Sequence, residues 1–180
     1  VGEGSDGLEC CLIYNFSEEP AEDHDYNRIP ATVQHITAYS NSASLQNGFL
    51  AECSWLTTLD LSPLSLSGDL QHGFLSGCSG LTTIDLSPLS QITEIGEDFL
   101  SDCDGLTELD LSPLSQVVRF GWYFLCGCSG LTSLDISPMT SLTSVDDYFA
   151  NECYGLRTIN MGAPRVVNVQ TIFLVAVEMN

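Results

Sequence analysis

The strongest constraint on this chain is that the same residues return every 25 positions from residue 49 to residue 156. We call a set of equivalent positions in successive copies a column. A 25-residue unit is too small to bury its own apolar face, so neighbouring units must stack to form a core. A fixed period of this length therefore predicts a solenoid. The clearest columns are Phe49, Phe74, Phe99, Phe124 and Phe149; Cys53, Cys78, Cys103, Cys128 and Cys153; and Leu56, Leu81, Leu106, Leu131 and Leu156.

Each unit divides into a strand and a return arc. Residues 106–111, with the sequence LTELDL, alternate apolar and polar side chains at their end, which is typical of a strand with one buried face. Pro113 ends this strand because proline lacks the backbone N–H that a ladder needs. Pro113 and Gly121 exclude a long helix in the return arc, so short turns are expected there. Stacking then predicts a continuous parallel ribbon through Leu61, Leu86, Leu111 and Ile136, and one core shared by Phe74 and Phe99.

These motifs carry a family resemblance. The strand pattern LxxLxL occurs at 81–86 and again at 56–61, 106–111 and 131–136, and it resembles a leucine-rich repeat. The companion pattern IxxIGxxFLxxCxxL, from Ile92 to Leu106, resembles the BspA-like subclass of bacterial and protist surface proteins, with a slightly longer unit here. The resemblance implies a right-handed leucine-rich-repeat solenoid. Its parallel sheet would line the concave face, and irregular or short helical turns would form the convex face.

The same resemblance implies protein–protein recognition or adhesion, and an extracellular or cell-surface location. The cytoplasm is the other possible location, since a core of free thiols is normal there. We expect residues 1–30 to form an acidic N-terminal cap, residues 31–165 the solenoid, and residues 166–180 an apolar C-terminal cap or assembly edge. Within the first, degenerate repeat, Ile36 is assigned to the strand because it stands 25 positions before Leu61.

The charge balance restricts the partner. The chain has 24 acidic residues, four arginines and no lysine, which gives a formal net charge of −20. Nucleic-acid phosphates would be repelled by such a surface, whereas a basic protein would be attracted. No apolar run approaches the length of about 18 residues that a membrane-spanning segment needs, so no membrane span is expected.

The outward-facing strand positions form the candidate binding site. Stacked strands lie about 4.8 Å apart, and two unit charges at about 5 Å repel by roughly 0.8 kcal/mol in water. A column of four aspartates therefore suggests a cationic protein partner, although the carboxylates could instead accept hydrogen bonds from turn N–H groups. Calcium is a weaker possibility because no DxDxDG loop is present. The predicted partner-binding residues are Asp60, Asp85, Asp110 and Asp135, with Thr58, Thr83 and Glu108 beside them.

The cysteine column has three possible interpretations. Metal sites need CxxC-type pairs matched by further pairs or by histidines, and these are absent. Neighbouring cysteines about 4.8 Å apart could approach disulfide geometry, but a column of five cannot pair completely. A ladder of small buried thiols is the favoured interpretation. The states of Cys10, Cys11 and Cys126 are left open.

Nothing in the sequence indicates catalysis. The three histidines do not recur with the repeat, and the chain contains no GxSxG, HExxH or GxxxxGK motif. We therefore predict a protein that is not an enzyme and that needs no cofactor or metal.

The C-terminal tail favours a second function. Its apolar side chains, among them Val169, Ile172, Phe173 and Leu174, could cover the last repeat, or could meet another molecule. A structural subunit that stacks end to end into a filament or surface layer is thus the alternative prediction. Asn15 begins an Asn-Phe-Ser sequon and is a glycosylation candidate outside the cytosol.

Overall fold

A computed structural model of the chain describes residues 11–15, 35–39, 45, 47–64, 69–162, 168–169 and 178–179. These residues form a repeat solenoid with parallel strand pairing and one apolar core, as the sequence period predicts. The strands, in chain order, are β1 (Cys11–Asn15), β2 (His35–Tyr39), β3 (Thr58–Asp60), β4 (Glu94–Ile95), β5 (Arg119–Phe120), β6 (Ser133–Asp135), β7 (Ser144–Val145), β8 (Thr158–Asn160), β9 (Asn168–Val169) and β10 (Glu178–Met179).

The predicted ribbon of LxxLxL strands is interrupted in the middle of the stack. Strands β1, β2 and β3 form one parallel sheet, and β6, β8 and β10 form another. Residues 81–86 and 106–111, between these sheets, have no strand assignment, so the prediction of a continuous ribbon was wrong. Burial changes at the same place: Ile84 and Leu109 are only partly buried, whereas the equivalent Leu59 and Leu134 are buried.

The return arc contains a second parallel ladder, which the sequence analysis did not predict. Strands β4, β5, β7 and β9 pair in that order, and a single bridge joins Leu70 to Ile95. Backbone hydrogen bonds in the neighbouring turns add to this ladder: Gly73 N–H donates to Glu97 O at 2.8 Å, and Leu100 N–H donates to Phe74 O at 2.9 Å. Successive repeats therefore remain hydrogen-bonded where the first ladder is interrupted.

Pairing register departs from the full period at the ends of the solenoid. Ser133 pairs with Thr158, one period along the chain, but Ile36 pairs with Leu59 rather than with Leu61. Ile36 lies in a strand and is buried, as predicted, but it occupies the position equivalent to Leu59 rather than to Leu61. The physical reason is that the segment between β2 and β3 is shorter than the equivalent segment between β6 and β8. The cysteine and phenylalanine columns that mark the 25-residue period also begin only after β2.

The core confirms that successive repeats are spatial neighbours. Phe74 and Phe99 stack with ring centroids 5.4 Å apart, and Phe99 and Phe124 stack at 5.0 Å. Offset aromatic stacking at such distances adds to the stabilisation from apolar burial. Short 3-10 helices at Ser87–Leu89 and Ser112–Leu114 confirm the predicted helical turns at the Ser-Pro motifs, and each buries its leucine in the core.

Candidate functional site

The four aspartates of the predicted ladder occupy the same point in successive repeats and share one local geometry. In each case Oδ1 accepts a hydrogen bond from the backbone N–H of the serine two residues later, at 2.8–2.9 Å. Such an Asx turn reverses the chain by replacing a backbone acceptor with a side-chain one. The carboxylates therefore begin the Ser-Pro turns, and this structural role is the one that the sequence analysis left open. The residues concerned are Asp60, Asp85, Asp110 and Asp135.

The same carboxylates are accessible to solvent. Asp85, Asp110 and Asp135 are exposed, and Asp60 is partly exposed. The pKa of Asp85 is lowered by hydrogen bonds from the Ser87 side chain and then from its backbone N–H. Ser137 lowers the pKa of Asp135 in the same way. Hydrogen bonds to the charged form of a carboxyl favour ionisation, so both groups are negative at neutral pH.

Threonine and glutamate side chains extend this surface. The exposed residues are Thr58, Thr83 and Glu108. Each lies two residues before the aspartate of its repeat. We call the set of Asp60, Asp85, Asp110, Asp135, Thr58, Thr83 and Glu108 the Asp-ladder face.

The last repeat shows that the turn does not require a charge. Asn160 replaces aspartate there, and its Oδ1 accepts the backbone N–H of Gly162 at 3.1 Å. Asn160 lies beside Asp135 in the ladder. A neutral amide oxygen thus forms the same kind of turn as a carboxylate. The negative charge of the four aspartates exceeds what the turn needs.

Cysteine has a specific packing role in its column. The thiol of Cys103 donates to the carbonyl of Leu75 at 3.2 Å, and the thiol of Cys128 donates to Leu100 at 3.0 Å; Cys78 and Cys153 make the equivalent bonds. Leu75 and Leu100 have positive φ of 56° and 52°. Each thiol therefore supplies a donor to the carbonyl of a left-handed residue in the preceding repeat, where a purely apolar side chain would supply none.

These thiols are neither paired nor activated. The cysteines of the column are free and buried. Burial raises the pKa of Cys53 to about 11 and that of Cys78 and Cys153 to about 12. A thiol needs to lose its proton to act as a nucleophile or metal ligand. Their role is therefore structural, in line with the ladder of buried thiols that the sequence favoured.

Arg119 belongs to an ion pair. Its Nε donates to Oδ2 of Asp146 at 3.2 Å, and its Nη2 donates to the same oxygen. The Asp146 side chain is only 8% exposed, so removing its partner would leave a buried charge unpaired. The hydrogen bond and charge of Asp146 raise the pKa of Arg119. The Arg119–Asp146 ion pair therefore has a structural role.

Neighbouring repeats also bring two tyrosines together. The rings of Tyr123 and Tyr148 stack with centroids 4.6 Å apart and an interplanar angle of 6°. The sequence analysis did not pair Tyr123 with Tyr148. Their separation by one full period was the available signal.

Several predicted sites cannot be placed. Ile172, Phe173 and Leu174 lie outside the described residues, and Asn15 and Val169 belong to strands of which only the backbone is described. The glycosylation site and the assembly edge therefore remain predictions. Among the residues that the structure does describe, no group of three or more histidine, cysteine or acidic side chains is arranged to hold a metal.

Comparison with known families decides the nature of the repeat. The family described as BspA type leucine rich repeat region matches in six copies, over residues 30–110 and 69–172. The chain belongs to this BspA-type leucine-rich repeat family. Leucine-rich repeats generally mediate protein–protein interactions, and BspA-type proteins are typically bacterial and surface-associated.

One solved structure similar to this BspA-type chain is the crystal structure of a leucine-rich repeat protein from Bacteroides ovatus. The two chains are 17% identical with a TM-score of 0.47, and the match covers 74% of this chain and 42% of the other. The comparison with curated proteins gave no match. Across the described part of the BspA-type chain, no helix combines the length and hydropathy that crossing a bilayer requires.

Proposed function

We propose that this BspA-type chain is a non-enzymatic recognition module, acting in adhesion at the cell surface, that binds a basic protein through the Asp-ladder face. The observation that carries the proposal is that four repeats place a carboxylate where a neutral amide supports the same kind of turn. Asn160 supports the same turn without a charge, yet four successive repeats retain aspartate. Carboxylates accessible to solvent in one column provide the negative potential that would attract and orient a lysine- or arginine-rich surface.

The overall charge supports the same partner. A net charge of −20 with no lysine leaves few cations to neutralise the Asp-ladder face. We take the coil to be right-handed, because parallel crossover connections are right-handed in nearly all proteins. We take the Asp-ladder face to be its concave side. A curved surface of this kind would contact a partner along several repeats at once.

The test replaces the four aspartates with asparagine: D60N, D85N, D110N and D135N together. Asparagine keeps the Oδ1 acceptor of each Asx turn, so the variant is expected to fold normally while the face loses its charge. Exposed ion pairs contribute roughly 0.2–1 kcal/mol each, so the loss of four should weaken binding of an octalysine peptide by about fourfold or more. Isothermal titration calorimetry at low and at physiological salt measures both the affinity and its salt dependence.

A charge-matched control separates this face from the general acidity of the chain. The set E18Q, E19Q, E22Q and D23N removes four negative charges from the N-terminal segment and changes the net charge equally. It should reduce octalysine binding much less than the asparagine set. Equal losses for both sets, or unchanged affinity and salt slope in the asparagine set, would refute the proposal.

A second candidate function is end-to-end assembly, which one observation favours. Strands β9 and β10 extend the two ladders, and each pairs on one side only within the described residues. Unpaired strand edges are templates for a further strand. Sedimentation velocity of the purified chain at micromolar concentration should then show concentration-dependent species larger than a monomer. A single monomeric boundary at every concentration would exclude the assembly.

A further inference from the structure

A second surface, distinct from the Asp-ladder face, exposes aromatic side chains. Within the described residues the exposed large apolar side chains are Trp122 (46%), Tyr148 (37%) and Tyr154 (68%). They all fall in the last third of the solenoid, in the turn segments that precede the strands. Trp122 is followed directly by Tyr123, whose ring stacks on that of Tyr148. Exposed aromatic side chains on an acidic protein indicate an interaction site.

The two tyrosines occupy a backbone position that has left-handed φ in successive repeats. Tyr123 and Tyr148 have φ of 60° and 65°, in the left-handed region. The same column holds Gly48 and Gly73 in earlier repeats, with φ of 68° and 73°. Glycine adopts this conformation freely, whereas a bulky residue there is strained. Positive φ also occurs at other bulky residues, such as Leu75 and Leu100, so this backbone geometry belongs to the repeat. At this position it carries two rings that stack on each other.

Acidic residues lie near this stacked pair. Asp98 occupies the preceding position of the tyrosine column, and its pKa is raised first by desolvation and then by the charge of Glu97. Desolvation and the neighbouring groups Tyr148 and Asp98 likewise raise the pKa of Tyr123. Asp147, beside Tyr148, has an oxygen, Oδ1, that is buried and accepts no hydrogen bond in the described part of the chain. A positive charge placed here would relieve the crowding of negative groups.

We propose that Trp122, Tyr123 and Tyr148, together with Glu97 and Asp98, form an aromatic–acidic patch that binds arginine side chains of a partner protein. A planar guanidinium stacks on aromatic faces and pairs with carboxylates at its edge, whereas the lysine ammonium is a compact point charge. The Tyr123 and Tyr148 rings are nearly parallel, and the outer side of their stack offers such a face. Arg119, the nearest arginine in the sequence, is held by Asp146, and Nδ1 of His72 lies 3.8 Å from Oε2 of Glu97.

Trp122 makes this patch directly observable. The chain has two tryptophans, and Trp55 is partly buried against the core. In a W55F background, the fluorescence of Trp122 therefore reports on the patch. Titration with a tetra-arginine peptide should change this fluorescence and give an affinity about fivefold higher than a tetralysine peptide of equal charge.

The matched variants are chosen from the chain itself. Y123G with Y148G installs the residue that earlier repeats carry in this column, so it should fold with an unchanged melting temperature and lose arginine binding by about fivefold. Y123F with Y148F keeps the rings and should retain binding.

The Asp-ladder asparagine set should leave the Trp122 titration nearly unchanged, which makes this proposal independent of the proposed function. Equal affinity for the two peptides, full binding by the glycine variant, or loss of the signal in the Asp-ladder set would each overturn it. A fluorescence response to a neutral oligosaccharide but not to tetra-arginine would also overturn it, and would indicate a carbohydrate surface instead.

Discussion

Replacing Phe99 with alanine is expected to destabilise the solenoid by about 3–5 kcal/mol, the usual effect of removing a buried aromatic side chain. Phe99 is 1% exposed and stacks on Phe74 on one side and on Phe124 on the other. The substitution removes two ring contacts and leaves a cavity in the middle of the aromatic stack. Urea denaturation followed by circular dichroism should show a lower midpoint.

Two further substitutions test whether the effect of Phe99→Ala comes from the cavity in the core. Trp122→Ala removes an aromatic side chain of even larger size from the surface and should change the stability by no more than about 0.5 kcal/mol. Phe99→Leu should cost less than Phe99→Ala because it leaves a smaller cavity. If Phe99→Ala were as stable as Trp122→Ala, the rings would not form a continuous core.

A single methyl group at Gly105 should have the second-largest effect, about 3 kcal/mol, from overpacking. A Cβ at this position would lie 2.5 Å from the carbonyl oxygen of Ser79 and 2.8 Å from that of Leu81, both in the preceding repeat. These obstacles are backbone atoms of a neighbouring turn, so a change of rotamer cannot relieve the contact. The melting temperature of Gly105→Ala should fall by several degrees or more.

The control for Gly105 lies two residues further along the chain. Thr107 is exposed, and Thr107→Ala should leave the melting temperature nearly unchanged. Gly105→Ser should be at least as unstable as Gly105→Ala, because it presents the same Cβ to the same carbonyl groups. A stable Gly105→Ala variant would show that the repeats stack less closely than the structure indicates. The same approach occurs throughout the column of Gly80, Gly105, Gly130 and Gly155.

The periodic residues account for most of what could be predicted. Columns of phenylalanine and cysteine predicted the core because a residue that recurs at every turn of a stack meets its own copies. The Ser-Pro motifs predicted the turns, since proline restricts the backbone wherever it occurs. The four aspartates were predicted to share a face, and they share one turn geometry.

Other features depended on contacts that no column displays. Counting by the period failed at Ile36, because the number of residues in an end repeat can change while strand pairing is kept. The second ladder, through strands as short as Glu94–Ile95, gives too few residues for an alternating pattern to be recognised. The Arg119–Asp146 pair joins residues 27 positions apart, so it belongs to no column.

The sequence by itself determined that equivalent residues of successive repeats become neighbours, which residues face the core and where each repeat turns, because these properties follow from periodicity and local backbone chemistry. Only the tertiary structure decided where the strand ladder is interrupted. It also decided to which carbonyl each thiol donates and which oxygen accepts the N–H groups of the turns. Those outcomes depend on small differences in distance between atoms of adjacent turns. Periodicity specifies which repeats are adjacent, but it does not specify how closely their atoms approach.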